Sequence, residues 1–284
     1  MIMNKIENLI IKIGDVDRRV IFILIGLAVL IPLLTPISLP IRETPTTVKF
    51  FEGIEQIPEG SKVLVSFDYG PSTRPEIHPM NVAVLRHLLR NGHKIYISCL
   101  WPDGIYMALD ALDDISDEFS LEEYEDYVLL GYRPGAEAVI KGLASDLRKV
   151  YTVDANGKFI DDIDMMDNVT NLKDFAYIYS GSAGYPGTFE WVKYGGDPTG
   201  VRMSSGTTSV HVVNEVIPYV RSGQLIGLLA GMPGAAEYEK LVESPGIAIK
   251  GMAAQSFAHI VIVVFIIFGN IAYFLKQKKG KKYS

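Results

Sequence analysis

The 284-residue sequence has little that would support familiar chemistry: one cysteine, few charges, and no catalytic motif of recognised spacing. Because Cys99 has no partner within the chain, a scaffold held by internal disulfides is excluded. The five histidines show no H-E-x-x-H pattern, no cysteines are spaced as C-x-x-C, and no G-x-S-x-G surrounds a serine. The sequence therefore predicts no metal ion, no cofactor and no catalytic residue.

Charged residues make up only 21% of the chain, whereas 48% are hydrophobic. The excess apolar content lies in two uncharged runs, Val20 to Ile41 and Phe257 to Leu275. A helix of about 20 residues spans the hydrocarbon core of a bilayer. We therefore predict transmembrane helices over residues 20–41 and 256–275, with the lipid bilayer as the first partner.

The charges near the two runs predict the orientation of the chain. Five lysines follow the second run, and Lys5, Lys12, Arg18 and Arg19 precede the first, whereas few basic residues flank the runs on their inner sides. By the positive-inside rule, residues 1–19 and the Lys-rich tail 276–284 are cytoplasmic, and residues 42–255 are extracytoplasmic. This middle segment is acidic, which excludes nucleic acid as the main partner. The whole is predicted to be an integral protein of the cell membrane.

Between the two runs, short β-prone segments alternate with helix-period segments. The strand candidates begin at Lys62 (KVLVSFDY), Lys94 (KIYISCLW), Tyr127 (YVLLG), Phe175 (FAYIYS), Val201 and Gln224 (QLIGLLA), and each precedes a helical segment. Such alternation is typical of an α/β domain with a doubly wound, mostly parallel sheet, Rossmann-like or flavodoxin-like. The predicted architecture is such a domain between two transmembrane helices.

Ligands of open parallel sheets bind at the carboxyl ends of the strands, so the loops there supply the candidate residues. The loop after the first strand contributes Asp68, Arg74 and Glu76, side chains suited to acid-base work or to holding an anion. Arg133, after the third strand, is a second guanidinium that favours an anionic ligand. The alternative is that these side chains only pack a long polar loop and form salt bridges.

Two further loops carry hydroxyls ahead of helices. The fourth strand leads into SGSAGYPG, with Ser180 and Ser182, where amides and a helix N-terminus favour either an anion or a tight turn. The fifth leads into SSGTTS, with Ser205 and Thr207, where one hydroxyl caps the helix and the others are free for a ligand. Neither loop has the spacing of a nucleotide-binding motif.

In the second predicted span the polar or small residues are His259, Gly269 and Asn270. A polar side chain in lipid usually faces protein or water, and a glycine allows close helix approach. These three residues are therefore the predicted helix-contact positions.

The run PYVRSGQLIGLLAGMPGAAEYEKL, from Pro218 into the second span, and the segment VLVSFDYGPSTRPEIHPM resemble a family of uncharacterised two-span membrane proteins of bacteria and archaea. The resemblance covers most of the chain and implies the same architecture, without an activity or catalytic residues.

Two functions fit these observations. The first is a non-enzymatic membrane-anchored subunit whose α/β domain assembles with itself, as a homo-oligomer, or with other membrane proteins. The second is a sensor or an enzyme that binds an anionic small molecule or nucleotide-like group at the strand ends.

Overall fold

The computed structural model describes residues 16–35 and 40–280 of the chain. These residues form two compact units, one of Ile41–Ile249 and one that contains the described residues before Ile41 and after Ile249. The predicted first span falls partly on residues 36–39, which lie outside the described residues, as do residues 1–15 and 281–284 of the two predicted cytoplasmic segments.

The larger unit is built on one six-stranded sheet in which every pairing is parallel. The strands are β1 (Lys62–Asp68), β2 (Lys94–Cys99), β3 (Tyr127–Tyr132), β4 (Tyr177–Ser182), β5 (Met203–Thr207) and β6 (Leu228–Ala230). Their spatial order, β3-β2-β1-β4-β5-β6, reverses direction between β1 and β4. This is the order of a doubly wound sheet, so the predicted α/β fold is confirmed.

Helices flank the sheet. In chain order they are α1 (Arg18–Leu34), α2 (Pro45–Glu55), α3 (Arg74–Arg90), α4 (Gly104–Asp113), α5 (Glu137–Ser145), α6 (Leu147–Val150), α7 (Thr188–Glu190, the π-helical Trp191–Gly196 and Asp197–Thr199), α8 (Ser209–His211, the π-helical Val212–Val216 and Ile217–Ser222), α9 (Gly231–Leu241) and α10 (Ile247–Gly280). Helix α3 packs on α4, and α7 packs on α8, and the usual right-handed crossover puts these two pairs on opposite faces of such a sheet. Within the layers, α9 packs on α3 and α2, and α5 packs on α7.

The core lies on both faces of the sheet because successive strand side chains point to opposite sides. On the α7 face, Leu64, Ile178 and the fully buried Trp191 belong to one hydrophobic cluster. On the α3 face, Val63, Val65 and Phe67 are fully buried. Burial on both faces explains why the strands read as apolar runs rather than as strict alternations.

Among the described residues, one helix is long and apolar enough to cross a membrane, Ile247–Lys278 within α10. The described part of α1 has 17 residues, about 25 Å of helix, which is less than a hydrocarbon core of about 30 Å. The structure thus supports one candidate span of the two predicted, and the first span stays a prediction.

Two carboxylates of α9 hold the starts of α2 and α10. Glu237 Oε2 accepts hydrogen bonds from Thr44 N (2.9 Å), Thr44 Oγ1 (2.8 Å) and Thr47 Oγ1 (2.7 Å). Glu239 accepts from the N–H groups of Gly246, Ala248 and Ile249 at 2.9–3.0 Å. Carboxylates stabilise helix N-termini because the first-turn amides lack partners within the helix.

The structure predicts a local effect for Glu239→Ala. The substitution leaves three amides at the start of α10, one of them just before the helix, without their acceptor, at about 1–3 kcal/mol for each group left unsatisfied while buried. Hydrogen–deuterium exchange should therefore speed up at least tenfold for residues 246–249. The exposed Glu59 has no hydrogen bond among the described residues, so Glu59→Ala should leave these amides unchanged. Equal exchange in the two variants would contradict the capping role.

Candidate functional site

Asp68 ends β1, next to the point where the strand order reverses, and it is fully buried. Its Oδ1 accepts from Leu100 N (2.7 Å), and its Oδ2 accepts from Ser66 Oγ (2.6 Å) and Trp191 Nε1 (2.9 Å). Burial raises the pKa of Asp68 to about 7, because these three hydrogen bonds only partly offset the lost hydration of the carboxylate. Through these hydrogen bonds Asp68 connects the end of β1 to the residue after β2 and to α7.

A cavity of about 440 Å³ opens at the carboxyl ends of β4 and β5, between the loops that lead into α7 and α8. Its polar lining consists of Ser182, Thr188, Glu190, Thr207, His211 and Glu215, and its aromatic lining of Tyr185, Phe189 and Tyr219. We call it the β4–β5 cavity. It lies at the strand ends from which the sequence analysis drew its candidate residues, and its volume suits a small molecule.

The predicted hydroxyls lie in two layers at this cavity. Ser182 and Thr207 line it. Ser180 and Ser205 are fully buried, and both lie within hydrogen-bond distance of Thr188 Oγ1, at 3.5 Å and 2.6 Å from their Oγ atoms. Thr188 was missed by the sequence analysis, although it lines the cavity itself. The structure thus brings together four of the predicted residues and adds a fifth hydroxyl that connects them.

The glycine-rich loop after β4 is closed by its own hydrogen bonds. Gly187 N donates to Glu190 Oε2 (2.8 Å), and Thr188 N donates to Ser182 Oγ (3.3 Å). A Cβ at position 187 would collide with Ser182 Oγ, so this close approach requires glycine. The two amides expected to hold an anion already have acceptors, and this geometry favours the tight-turn interpretation of the loop.

Arg74 and Glu76 begin α3 and contact protein groups. Arg74 donates to Asp110 Oδ2 from Nε (2.8 Å) and Nη2 (2.5 Å). Glu76 Oε2 accepts from Ser209 N (3.0 Å) and Ser209 Oγ (3.1 Å), so this side chain of α3 caps the start of α8. Both side chains lie outside the lining of the β4–β5 cavity.

Arg133 is also engaged by the protein. Its guanidinium donates to the carbonyl oxygens of Tyr132, Val150 and Val153 at 2.7–3.2 Å, and it lies 4.7 Å from the centre of the Tyr151 ring. These contacts hold the excursion after α6 against β3. The pair Arg74 and Arg133 is therefore not brought together at the cavity, and each matches the salt-bridge or packing alternative.

Glu190 and His211 are cavity residues that the sequence analysis missed. Glu190 is only 6% exposed, and its Oε1 has no hydrogen-bond partner among the described residues. His211 Nδ1 is hydrogen-bonded to Thr208 Oγ1 at 2.7 Å. Glu190 is three residues after the helix cap, the position of the glutamate in a capping box, but the cap is Gly187, which lacks the side chain that marks this motif in a sequence.

Two buried histidine networks lie on the opposite face of the sheet. His78 is bonded to Tyr69 OH (2.8 Å) and Asp114 Oδ2 (3.0 Å), and His87 to Tyr238 OH (2.7 Å) and Glu55 Oε1 (2.7 Å). Burial lowers the pKa of both imidazoles, although their carboxylate partners act in the other direction. Within residues 16–35 and 40–280, no group of three His, Cys, Asp or Glu side chains is arranged for a metal ion.

The predicted helix-contact residues all lie on α10. The side chains of His259 and Asn270 are exposed in the described part of the chain. Asn270 Nδ2 donates to Ile266 O (2.9 Å) within the helix. Apart from its two chain neighbours and the nearby backbone of α10 itself, no described atom lies within 4 Å of the place that a Cβ would take on Gly269. Within the described chain, Gly269 thus has space beside it.

No protein-family model, curated protein or solved structure matches this chain.

Proposed function

We propose that the protein is a membrane-anchored binding subunit, whose α/β domain takes a small molecule in the β4–β5 cavity. The observation that carries this proposal is the cavity itself, which lies at the carboxyl ends of β4 and β5 and combines aromatic walls with polar groups. Convergent polar groups in a concave, partly apolar cleft are the usual features of a ligand site. The unpartnered carboxylate oxygen of Glu190 adds a polar group that a ligand would satisfy.

Thermal unfolding of the full chain in mild detergent tests binding. The probes are choline, putrescine, glucose and inorganic phosphate, which represent cationic, neutral and anionic ligands. A probe at a hundred times its Kd stabilises the folded state by about 2.7 kcal/mol and raises Tm by about 5 °C or more. We expect such a shift from at least one probe, and no shift from any of them would overturn the binding proposal.

Position 207 offers a matched pair of variants for this test. Thr207→Phe fills the cavity with a larger side chain, whereas Thr207→Val keeps the shape of the side chain and replaces only its hydroxyl. The Tm shift should disappear in Thr207→Phe and persist in Thr207→Val. A shift that persists in Thr207→Phe would place binding elsewhere.

The anchoring part of the proposal comes from α10 and the two apolar runs. Ile260, Ile266 and Phe274 on α10 are 57–64% exposed, as expected of a helix that faces lipid. We extend this to two spans, with cytoplasmic termini and an extracytoplasmic α/β domain, because the lysines after the second run favour that orientation.

Cysteine labelling in intact cells tests the orientation. Tyr106 is 68% exposed on α4, and Lys278 is exposed at the end of the candidate span. A membrane-impermeant maleimide should label Tyr106→Cys but not Lys278→Cys until the cells are opened. The background is low because Cys99 is buried and its pKa is raised well above the usual thiol value by burial. The reverse labelling pattern would invert the orientation.

Self-association is a second component of the proposal, supported by the polar residues of α10. His259 and Asn270 are both exposed and lie eleven residues apart, about three helical turns, so they share one side of the helix. Polar side chains within an apolar span usually contact protein.

Oxidative cross-linking in membranes should therefore trap dimers of Ile266→Cys, which lies on the side of His259 and Asn270, but not of Phe268→Cys, which lies on the opposite side of the helix. Equal cross-linking of the two variants would contradict this interface.

A further inference from the structure

We propose that the ligand of the β4–β5 cavity carries an ammonium group; this inference rests on the binding function proposed above. The first argument is charge. Glu190 and Glu215 line the cavity, and none of its lining residues is a lysine or an arginine. At the rim, Tyr185 OH donates to Glu137 Oε2 (2.9 Å), and the positive charges of Lys141 and Lys193 lie near that glutamate, so the charge argument rests on Glu190 and Glu215 inside the lining. The cavity therefore favours a cation.

The second argument is the carboxylate of Glu190. One oxygen is held by Gly187 N, which fixes the side chain, and the other has no partner among the described residues although Glu190 is 6% exposed. This second oxygen is not one of the fully buried unpartnered atoms of the described residues, so it faces the open cavity that Glu190 lines and can meet a ligand there. An ammonium group supplies both the missing donor and the opposite charge, whereas a neutral hydroxyl supplies only the donor.

The third argument is the aromatic wall. The Phe189 and Tyr219 rings meet edge to face with their centres 5.9 Å apart, and both line the cavity. Ring faces attract cations. Lys193 Nζ lies 5.5 Å from the centre of the Phe189 ring without lining the cavity, so the Tyr219 ring is the aromatic face proposed for the ligand. A carboxylate next to aromatic rings is the combination that binds primary and quaternary ammonium groups.

The groups that would bind an anion are occupied. The Gly187 and Thr188 amides donate within the loop. Arg74 is paired with Asp110, and Arg133 is bound to carbonyl oxygens. The structure thus gives the cavity acceptors and aromatic faces but no cationic side chain in its lining.

Calorimetric titration of the full chain in detergent tests the inference. We expect choline or putrescine to bind, and Glu190→Gln to weaken that binding by about 10- to 100-fold, because a charge-assisted contact becomes a neutral one. Glutamine keeps an acceptor for Gly187 N, so the loop is expected to stay folded, which an unchanged Tm without probe would verify. Glu59→Gln, which removes an exposed carboxylate elsewhere on the domain, should not change the affinity.

The outcomes separate this inference from the binding function. If glucose or phosphate binds in the Thr207→Val variant but not in Thr207→Phe, while choline and putrescine do not bind, the cavity is a ligand site and the ammonium assignment is wrong. If Glu190→Gln binds the ammonium probes as tightly as the original chain, the assignment is also wrong. If none of the four probes binds, the binding function itself fails.

Discussion

Replacing Trp191 by alanine should lower the free energy of unfolding by about 5 kcal/mol, the largest effect that we expect from one substitution on the α7 face. Trp191 is fully buried in the hydrophobic cluster, and truncation of a buried tryptophan costs about 3–5 kcal/mol. Its Nε1 also donates to Ser66 Oγ (3.0 Å) and Asp68 Oδ2 (2.9 Å). Loss of this donor leaves the buried Asp68 with fewer partners and adds about 1–3 kcal/mol.

Urea unfolding of the full chain in detergent, followed by pulse proteolysis, measures this effect without using Trp191 as the reporter. Trp191→Phe keeps most of the ring volume but removes the donor, so its loss should fall near half of that of Trp191→Ala. Trp101→Phe is the matched control, because Trp101 is only partly buried and donates to Pro186 O (2.8 Å). Its loss should be about 1 kcal/mol. A Trp191→Ala variant as stable as Trp101→Phe would contradict the central position assigned to Trp191.

The sheet could be predicted from the sequence because its strands are signalled locally. Runs such as KVLVSFDY and KIYISCLW are apolar, rich in β-branched or aromatic residues, and followed by helical segments. Parallel pairing follows from that alternation. The predicted bounds differ most at β6, which begins at Leu228 rather than at Gln224. The N–H groups of Leu225 and Ile226 donate instead to the carbonyl oxygens of Tyr219 and Met203, and the strand does not include these two residues.

The sequence analysis did not predict helix α2, because the residues that contact its buried face lie far away in the chain. Its N-terminus is held by Glu237, about 190 residues away in the sequence. Its Phe50 packs edge to face on Tyr179 and Tyr238. Neither contact leaves a periodic signal strong enough to mark a helix between an apolar run and a strand.

The sequence pointed to the region of the candidate site, the strand ends, but it identified only some of the residues that line the cavity. The rule that ligands bind at strand ends placed Ser182 and Thr207 at the cavity. Arg74 and Arg133 were selected for their charge, but their partners Asp110 and the Val153 carbonyl come from other loops. Glu190 and Tyr219 lie within helices, and only the packing of α7 against α8 reveals that they line the cavity.

The stability of the chain relative to an Asp68→Asn variant should depend on pH between about 4 and 7. Burial raises the pKa of Asp68 to about 7 in the folded chain, from 3.8 in the unfolded chain. In that window the folded state therefore binds more protons than the unfolded state. Stability falls as pH rises through the window, by on the order of 4 kcal/mol in total, and is constant with respect to this group above about pH 7.

Comparison with Asp68→Asn isolates this contribution from other buried groups. The pKa of Glu239 is also raised by burial, so this group likewise lowers the stability of the chain as pH rises. The pKa values of His78 and His87 are lowered by burial, so these groups lower the stability of the chain as pH falls below about 6.5. These groups are present in both proteins, so their effects cancel in the difference between the two unfolding free energies. Asparagine stays neutral throughout and supplies the reference.

A difference in unfolding free energy that stays flat from pH 4 to 7 would contradict the raised pKa. It would mean that Ser66, Leu100 N and Trp191 stabilise the Asp68 carboxylate as well as water does, so that burial costs the charged form nothing. The Trp191→Phe variant distinguishes the two accounts. Removing the Nε1 donor raises the pKa of Asp68 further, so the loss of stability with rising pH should extend to higher pH than in the original chain.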